Sequence, residues 1–167
     1  DRVDEPISPY AATKKAGELI CHTYWHLHRM PIVALRFFTV FGPRQRPDLA
    51  INKFLQLVAR DEAIPMFGDG STSRDYTFVD DIVSGIVASV DYCTPDVGFR
   101  VYNLGGSTPV SLKEMIETIG RVVGKEPRIE QQPMQPGDVN RTFADLTRSK
   151  AELGYEPTTS LEAGITK

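Results

Sequence analysis

The chain has 167 residues, 41% of them hydrophobic and 25% charged, which is enough apolar material to bury a core in one compact domain or one and a fraction. Its formal net charge of −3 supplies no long-range attraction for nucleic acid or an anionic membrane surface. No apolar run reaches the roughly 18 residues of a bilayer span, no signal-peptide pattern stands in these residues, and the two cysteines lack CxxC spacing. Cys21 and Cys93 therefore read as reduced, buried thiols of a cytoplasmic protein.

The opening "DRVDEPISP" is polar and proline-bearing, and reads as a loop from the middle of a larger protein. Ser8 is a good helix N-cap and Pro9 a good first helical residue. Ala12, Ala16, Leu19, Ile20, Thr23, Tyr24 and Leu27 recur at the helical period, predicting a helix from about Pro9 to His28 that Pro31 stops. "IVALRFF", residues 32–38, is a short apolar run between a proline and a Gly-Pro turn, as expected of a buried strand. Residues 39–50, "TVFGPRQRPDLA", carry Gly42, Pro43 and Pro47 and are expected to be irregular.

"AINKFLQLVARD" has helical periodicity, "IPMFG" is a strand running into the turn "DGSTS", and "RDYTFV" is another strand. Asp80 or Asp81 then starts the helix "DIVSGIVASVDY", where a carboxylate favours the helix dipole. After the turn "TPDVG" come the strand "RVYNLG" and a loop ending at Ser111, which forms a capping box with Glu114. The helix "LKEMIETIGRVVG" ends at Gly124. "PRIEQQP" is a strand, "MQPGDVNRTFAD" a loop, "LTRSKAELG" a short helix and "SLEAGITK" a truncated one. Strands alternating with helices define an α/β architecture.

Within the first helix, Tyr10 and Lys14 stand four apart in "SPYAATKKAGE" and share one helical face. A phenol titrates too high to serve as a base at neutral pH, and an ammonium beside it favours the phenolate. Such a phenolate can take the proton of a sugar hydroxyl. The same spacing also occurs on ordinary surface helices, so the pair needs its context.

That context is five motifs in order: "SPYAATKKAGE", "LRFFTVFGPRQRPD", "IPMFGDGSTSRDYTFVDDIV", "YNLGG" and "QPGDV". Together they resemble the C-terminal half of the nucleotide-sugar epimerases and dehydratases of the extended short-chain dehydrogenase/reductase superfamily. Thr39 with "GPRQRPD" is most similar to the UDP-glucuronate 4-epimerases. The resemblance implies the C-terminal part of a Rossmann-type fold with a small α/β substrate-binding domain. Residues 1–43 would be a remnant of the NAD-binding half, with the catalytic helix and one strand. Residues 44–167 would form mainly the nucleotide-sugar region, with some segments returning to the Rossmann sheet.

It further implies that NAD takes hydride from C4 of a UDP-sugar while Tyr10 takes the hydroxyl proton, and that hydride returns to the opposite face of the 4-keto sugar. Lys14 matches the residue on the nicotinamide ribose, and Phe38 is a further cofactor contact. Thr39 and Arg46 match positions near the sugar, where a guanidinium can grip a C6 carboxylate with a forked pair of hydrogen bonds. Phe67 matches a ring on uracil, Arg74 a diphosphate contact and Asp138 a ribose contact. Gln135 departs from the arginine many relatives have, leaving a second phosphate contact to Arg46 or Arg141.

Other readings stay open: a UDP-glucose 4-epimerase, a 4,6-dehydratase, a decarboxylase, or a non-catalytic nucleotide-sugar binding module. No GxGxxG turn follows a strand here, so most of the NAD site is expected outside these residues and the isolated chain is expected to be inactive. Gly105 and Gly106 are expected to form a tight turn, and Asp75 to be an ion-pair or capping partner. His22, His26 and His28 match no metal-ligand spacing. Self-association as a homodimer through the Tyr10/Lys14 helix is expected.

Overall fold

The computed structural model describes residues 3–134 and 139–167. The first helix, α1, runs Pro9–His28; Ser8 Oγ accepts from the Ala11 N–H at 3.1 Å. It ends at Arg29, whose left-handed backbone (φ 53°) returns its N–H to the Trp25 carbonyl. Strand β1, Ile32–Phe37, follows. None of the α1 residues is buried.

A second short strand, β2, spans Thr39–Phe41, so the stretch expected to be irregular is partly regular. The reason is packing: Phe41 is 2% exposed and meets Phe78 edge-on, which outweighs the breakers that begin at Gly42. Next come α2 (Ala50–Ala59), β3 (Ile64–Phe67), β4 (Ser73–Phe78) and α3 (Val79–Tyr92). Helix α3 thus begins before Asp80, and the two aspartates sit in its first turn rather than at its cap. A 3-10 turn at Pro95–Val97 leads to β5 (Phe99–Leu104). The loop expected after β5 contains a further strand, β6 (Pro109–Ser111). Ser111 then caps α4 (Leu112–Val123), accepting from the Glu114 N–H at 3.1 Å. The chain continues through β7 (Ile129–Gln132), α5 (Thr147–Leu153) and α6 (Leu161–Thr166).

Strands β1 and β5 pair in parallel, from Ile32 opposite Phe99 to Phe37 opposite Leu104. β4 lies between β2, parallel to it, and β6, antiparallel to it. β3 and β7 form a parallel pair. The apolar stripes of α2 (Ile51, Phe54, Val58) and α4 (Met115, Ile116, Ile119) close over Phe41, Phe78 and Ile64 in one core. A second core joins Ile82 of α3, Leu104 of β5, Ala144, Leu146 and Tyr155. Each of the larger apolar side chains so buried contributes about 1.5–3 kcal/mol.

One polar group ties these parts together. Asp75 of β4 is fully buried. Its carboxylate accepts from the N–H groups of Gly106 (2.6 Å), Ser107 (3.0 Å) and Ala144 (2.9 Å). Its own N–H donates to Thr142 Oγ1 at 3.0 Å. Gly105 lies in a bend directly after β5, and both glycines serve this grip by close approach: a Cβ on Gly105 would lie 2.4 Å from that of Ala144, and one on Gly106 2.8 Å from the Tyr76 carbonyl. Both cysteines are half-buried and free, not buried as expected. Asp138 and Gln135 lie outside the described residues.

Removing the charge from Asp75 leaves buried N–H groups short of an acceptor. Asp75→Asn is expected to lose about 2–4 kcal/mol in urea unfolding, from three charge-assisted bonds worth roughly 1.5–3 kcal/mol each and partly kept by the amide. A loss within about 0.5 kcal/mol, the range of an ordinary surface change, would contradict this.

Candidate active site

The C-terminal end of β1 and the start of α1 face each other across a cavity of about 940 Å³. Its walls include Tyr10, Lys14, Lys15 and Glu18 from α1, Arg36 and Phe37 from β1, then Phe38, Thr39 and Thr142. Capping of α1 by Ser8 and Pro9 sets where Tyr10 falls, in the first turn. The ammonium of Lys14 lies 5.3 Å from the centroid of the Tyr10 ring, and Tyr10 is 71% exposed to the cleft and solvent. A cation at this distance over a phenol ring contributes about 0.5–1 kcal/mol at an exposed site. The pair expected from helical spacing is thus formed.

Beside it is a partly buried ion pair between α1 and β1. Arg36 grips Glu18 with both arms of its guanidinium, Nε to Oε1 at 2.5 Å and a terminal nitrogen to Oε2 at 2.8 Å. Lys15 stands 3.6 Å from the same carboxylate and 3.8 Å from Asp4. The hydrogen bond from Arg36 holds the Glu18 carboxyl below the usual carboxylate range, against the opposing effect of burial, and Arg36 is raised in turn by its bond to Glu18. Neither residue stood out in the sequence. The signal was present: an arginine inside an otherwise apolar strand, and a glutamate one turn beyond Lys14.

Thr39 also belongs to a second cavity of about 250 Å³, with Gln45, Thr72, Arg74 and Tyr76 among its walls. Register explains the adjacency, since Thr39 lies opposite Tyr76 in the β2–β4 pairing. The structure therefore brings Tyr10, Lys14, Phe38 and Thr39 to one cleft and Arg74 to its neighbour. It does not bring Arg46 or Phe67 to either. Arg46 is engaged by Asp48 in a forked pair on an exposed loop, at 3.1 and 2.8 Å. Phe67 ends β3, opposite Gln132 of β7. Thr142, which lines the main cleft, had no signal in the sequence. Among the described residues no group of His, Cys, Asp and Glu side chains is arranged to hold a metal ion. No helix among them is long and apolar enough to cross a membrane.

The α/β fold, with a tyrosine–lysine helix beside a divided cleft, is the Rossmann type of the extended short-chain dehydrogenases/reductases. Residues 2–167 match the family model described as GDP-mannose 4,6 dehydratase, and the chain belongs to that family. It is 41% identical to the UDP-glucuronate 4-epimerase of Thermodesulfobacterium geofontis over 98% of this chain and 50% of that protein. UDP-glucuronic acid 4-epimerase from Bacillus cereus, solved with UDP-glucuronic acid and NAD, superposes with a TM-score of 0.89 at 38% identity, covering 96% of this chain and 51% of that one. UDP-glucose 4-epimerase of Thermotoga maritima, solved with UDP-glucose, gives 0.86 at 30% identity, covering 97% and 52%. The chain spans about half the length of the curated relatives it matches.

Because Glu18 is depressed in the folded state, its contribution is full above the ordinary value of 4.5 and is lost as pH falls through the lower folded-state value. Glu18→Gln is therefore expected to cost about 1–3 kcal/mol at neutral pH, with the gap to wild type closing as the medium is acidified. Urea unfolding across pH checks this, and a gap of constant size down to low pH would contradict it.

Proposed function

We propose that the whole protein interconverts the C4 epimers of a UDP-sugar with NAD as cofactor, the sugar being UDP-glucuronate and its product UDP-galacturonate. One observation carries this reading: the Tyr10–Lys14 pair and Thr39 share a cleft whose neighbouring cavity holds Arg74. The tyrosine–lysine pair thus lines one cavity and a cationic side chain the next, with Thr39 common to both.

The residues present fit a nicotinamide. The main cleft is large, and it offers the Lys14 ammonium and the Phe38 side chain on opposite elements. No glycine-rich dinucleotide turn occurs in the sequence, so the contacts this chain supplies are Tyr10, Lys14 and Phe38. When bound, NAD accepts the C4 hydrogen with its electron pair and later returns it. Tyr10 takes the proton from the C4 hydroxyl as the C–O bond becomes a carbonyl, and gives it back once the sugar presents its other face. Lys14 keeps a positive charge beside the phenol and holds the ribose. Thr39 orients the sugar, and Arg74 binds the diphosphate.

Arg46 grips the C6 carboxylate, exchanging Asp48 for it; Phe67 packs on uracil and Asp138 bonds the uridine ribose. Residues 1–43 belong to the cofactor half and 44–167 mainly to the substrate region. The protein works in the cytoplasm as a homodimer through α1. The uncovered apolar side chains Leu19, Ile20, Tyr24 and Leu27, each more than half exposed, support that contact.

A second reading is epimerisation of a neutral sugar, UDP-glucose, favoured by the position of Arg46 on Asp48 rather than in either cavity. Incubating the whole protein with NAD and each UDP-sugar, and separating the products, decides between them. UDP-galacturonate formed from UDP-glucuronate is the expected result. Turnover of UDP-glucose alone would replace the first reading with the second, and release of CO₂ or a 6-deoxy product would overturn both. Light scattering is expected to give twice the chain mass, and Leu19→Glu with Leu27→Glu is expected to give the single mass.

A further inference from the structure

Tyr10, Lys14 and Glu18 follow one another at i, i+4 and i+8, so all three lie along one face of α1. The middle residue has two neighbours to choose between. A lysine and a glutamate one turn apart attract each other, and the carboxylate of Glu18 is a stronger lure for an ammonium than the face of a phenol ring. Yet Lys14 sits over Tyr10, 5.3 Å from the ring centroid. The reason is visible across the cleft: both oxygens of Glu18 are taken by the forked guanidinium of Arg36, at 2.5 and 2.8 Å, with Lys15 3.6 Å from the second.

We propose that Arg36 is a positioning residue for the Tyr10–Lys14 pair: by saturating Glu18 it denies that carboxylate to Lys14 and leaves the ammonium beside the phenol. This rests on the reading of Tyr10 as the proton acceptor. Arg36 does this from β1, directly before Phe37, Phe38 and Thr39, so one contact both docks the catalytic helix on the sheet and sets the charge along its active face. The other charged groups that share the cleft with the pair are Asp4 and Glu5 from the preceding segment and Lys15 on α1. Lys15 is within reach of Asp4 as well as Glu18, so it cannot substitute for the fork.

The arrangement predicts an asymmetry that a merely structural ion pair would not show. In Arg36→Met, Glu18 is left without its fork and captures Lys14; in Glu18→Gln, nothing competes for Lys14 and it stays in place. The direct readout is NMR of the 167-residue chain, following the Lys14 side-chain protons, which the Tyr10 ring shifts upfield. Tyr10→Phe assigns that shift, because the phenyl ring preserves it in part and Tyr10→Ala abolishes it.

The upfield shift is expected to be lost in Arg36→Met, kept in Glu18→Gln and restored in the double variant. If Arg36→Met does not fold, Arg36→Lys carries the test, since one ammonium cannot fill both oxygens: it predicts partial loss. In the whole protein the acid limb of the pH–rate profile is expected to move to higher pH in Arg36→Met and to return in the double variant. Equal effects of Arg36→Met and Glu18→Gln, or a Lys14 shift unchanged when Arg36 is replaced, would overturn the proposal. Failure of the whole wild-type protein to turn over any UDP-sugar would instead remove the functional reading while leaving the NMR asymmetry to stand.

Discussion

The carboxylate of Asp75, fully buried in the middle of β4, is where three stretches of chain meet. It accepts N–H groups from the loop after β5 and from Ala144, while the adjoining N–H reaches Thr142. A buried carboxylate is costly unless donors replace the water it loses, and here backbone groups do so. The consequence is geometric. The neighbours of Asp75 on β4 are Arg74 and Tyr76, which wall the smaller cavity, and Thr142 walls the larger one. Both cavities therefore share a single rigid seam, and Thr39, paired opposite Tyr76, stands on it.

On the other side of the main cleft the constraint is different. Helix α1 buries none of its residues completely, so apolar burial alone does not hold it against β1. The forked Glu18–Arg36 contact is the most specific tie between the two. A partly buried, bidentate pair is worth more than an exposed one, because water screens it less and its geometry is fixed. The exposed Arg46–Asp48 pair on the loop after β2 has similar bond lengths and far less protection. Similar geometry thus meets different surroundings: a partly buried tie between α1 and β1, and an exposed one on the loop after β2.

Much of the fold was legible in the sequence because its cues are local. Ser8–Pro9 opens α1, Ser111 with Glu114 opens α4, and Gly124 closes it, each where capping chemistry requires. Strands β2 and β6 were not legible, being three residues each and held by neighbours distant in sequence: Phe78 against Phe41, and Ser73 opposite Ser111. The start of α3 moved to Val79 because Phe78 must enter the core, which sets the helix before its acidic residues. At the site, the Tyr10–Lys14 pairing follows from helical spacing, whereas Arg36, Glu18 and Thr142 act across elements that only the tertiary structure brings together.

In the proposed reaction everything turns on the Tyr10 phenol, which moves the C4 hydroxyl proton of a nucleotide sugar. The most direct measurement is the rate of UDP-sugar epimerisation by the whole protein carrying Tyr10→Phe, which keeps the ring under Lys14 and removes only the oxygen. A fall in kcat of about 10²–10⁴-fold, the range of general acid–base catalysis, is expected, with UDP-sugar binding retained. An unchanged kcat would contradict it.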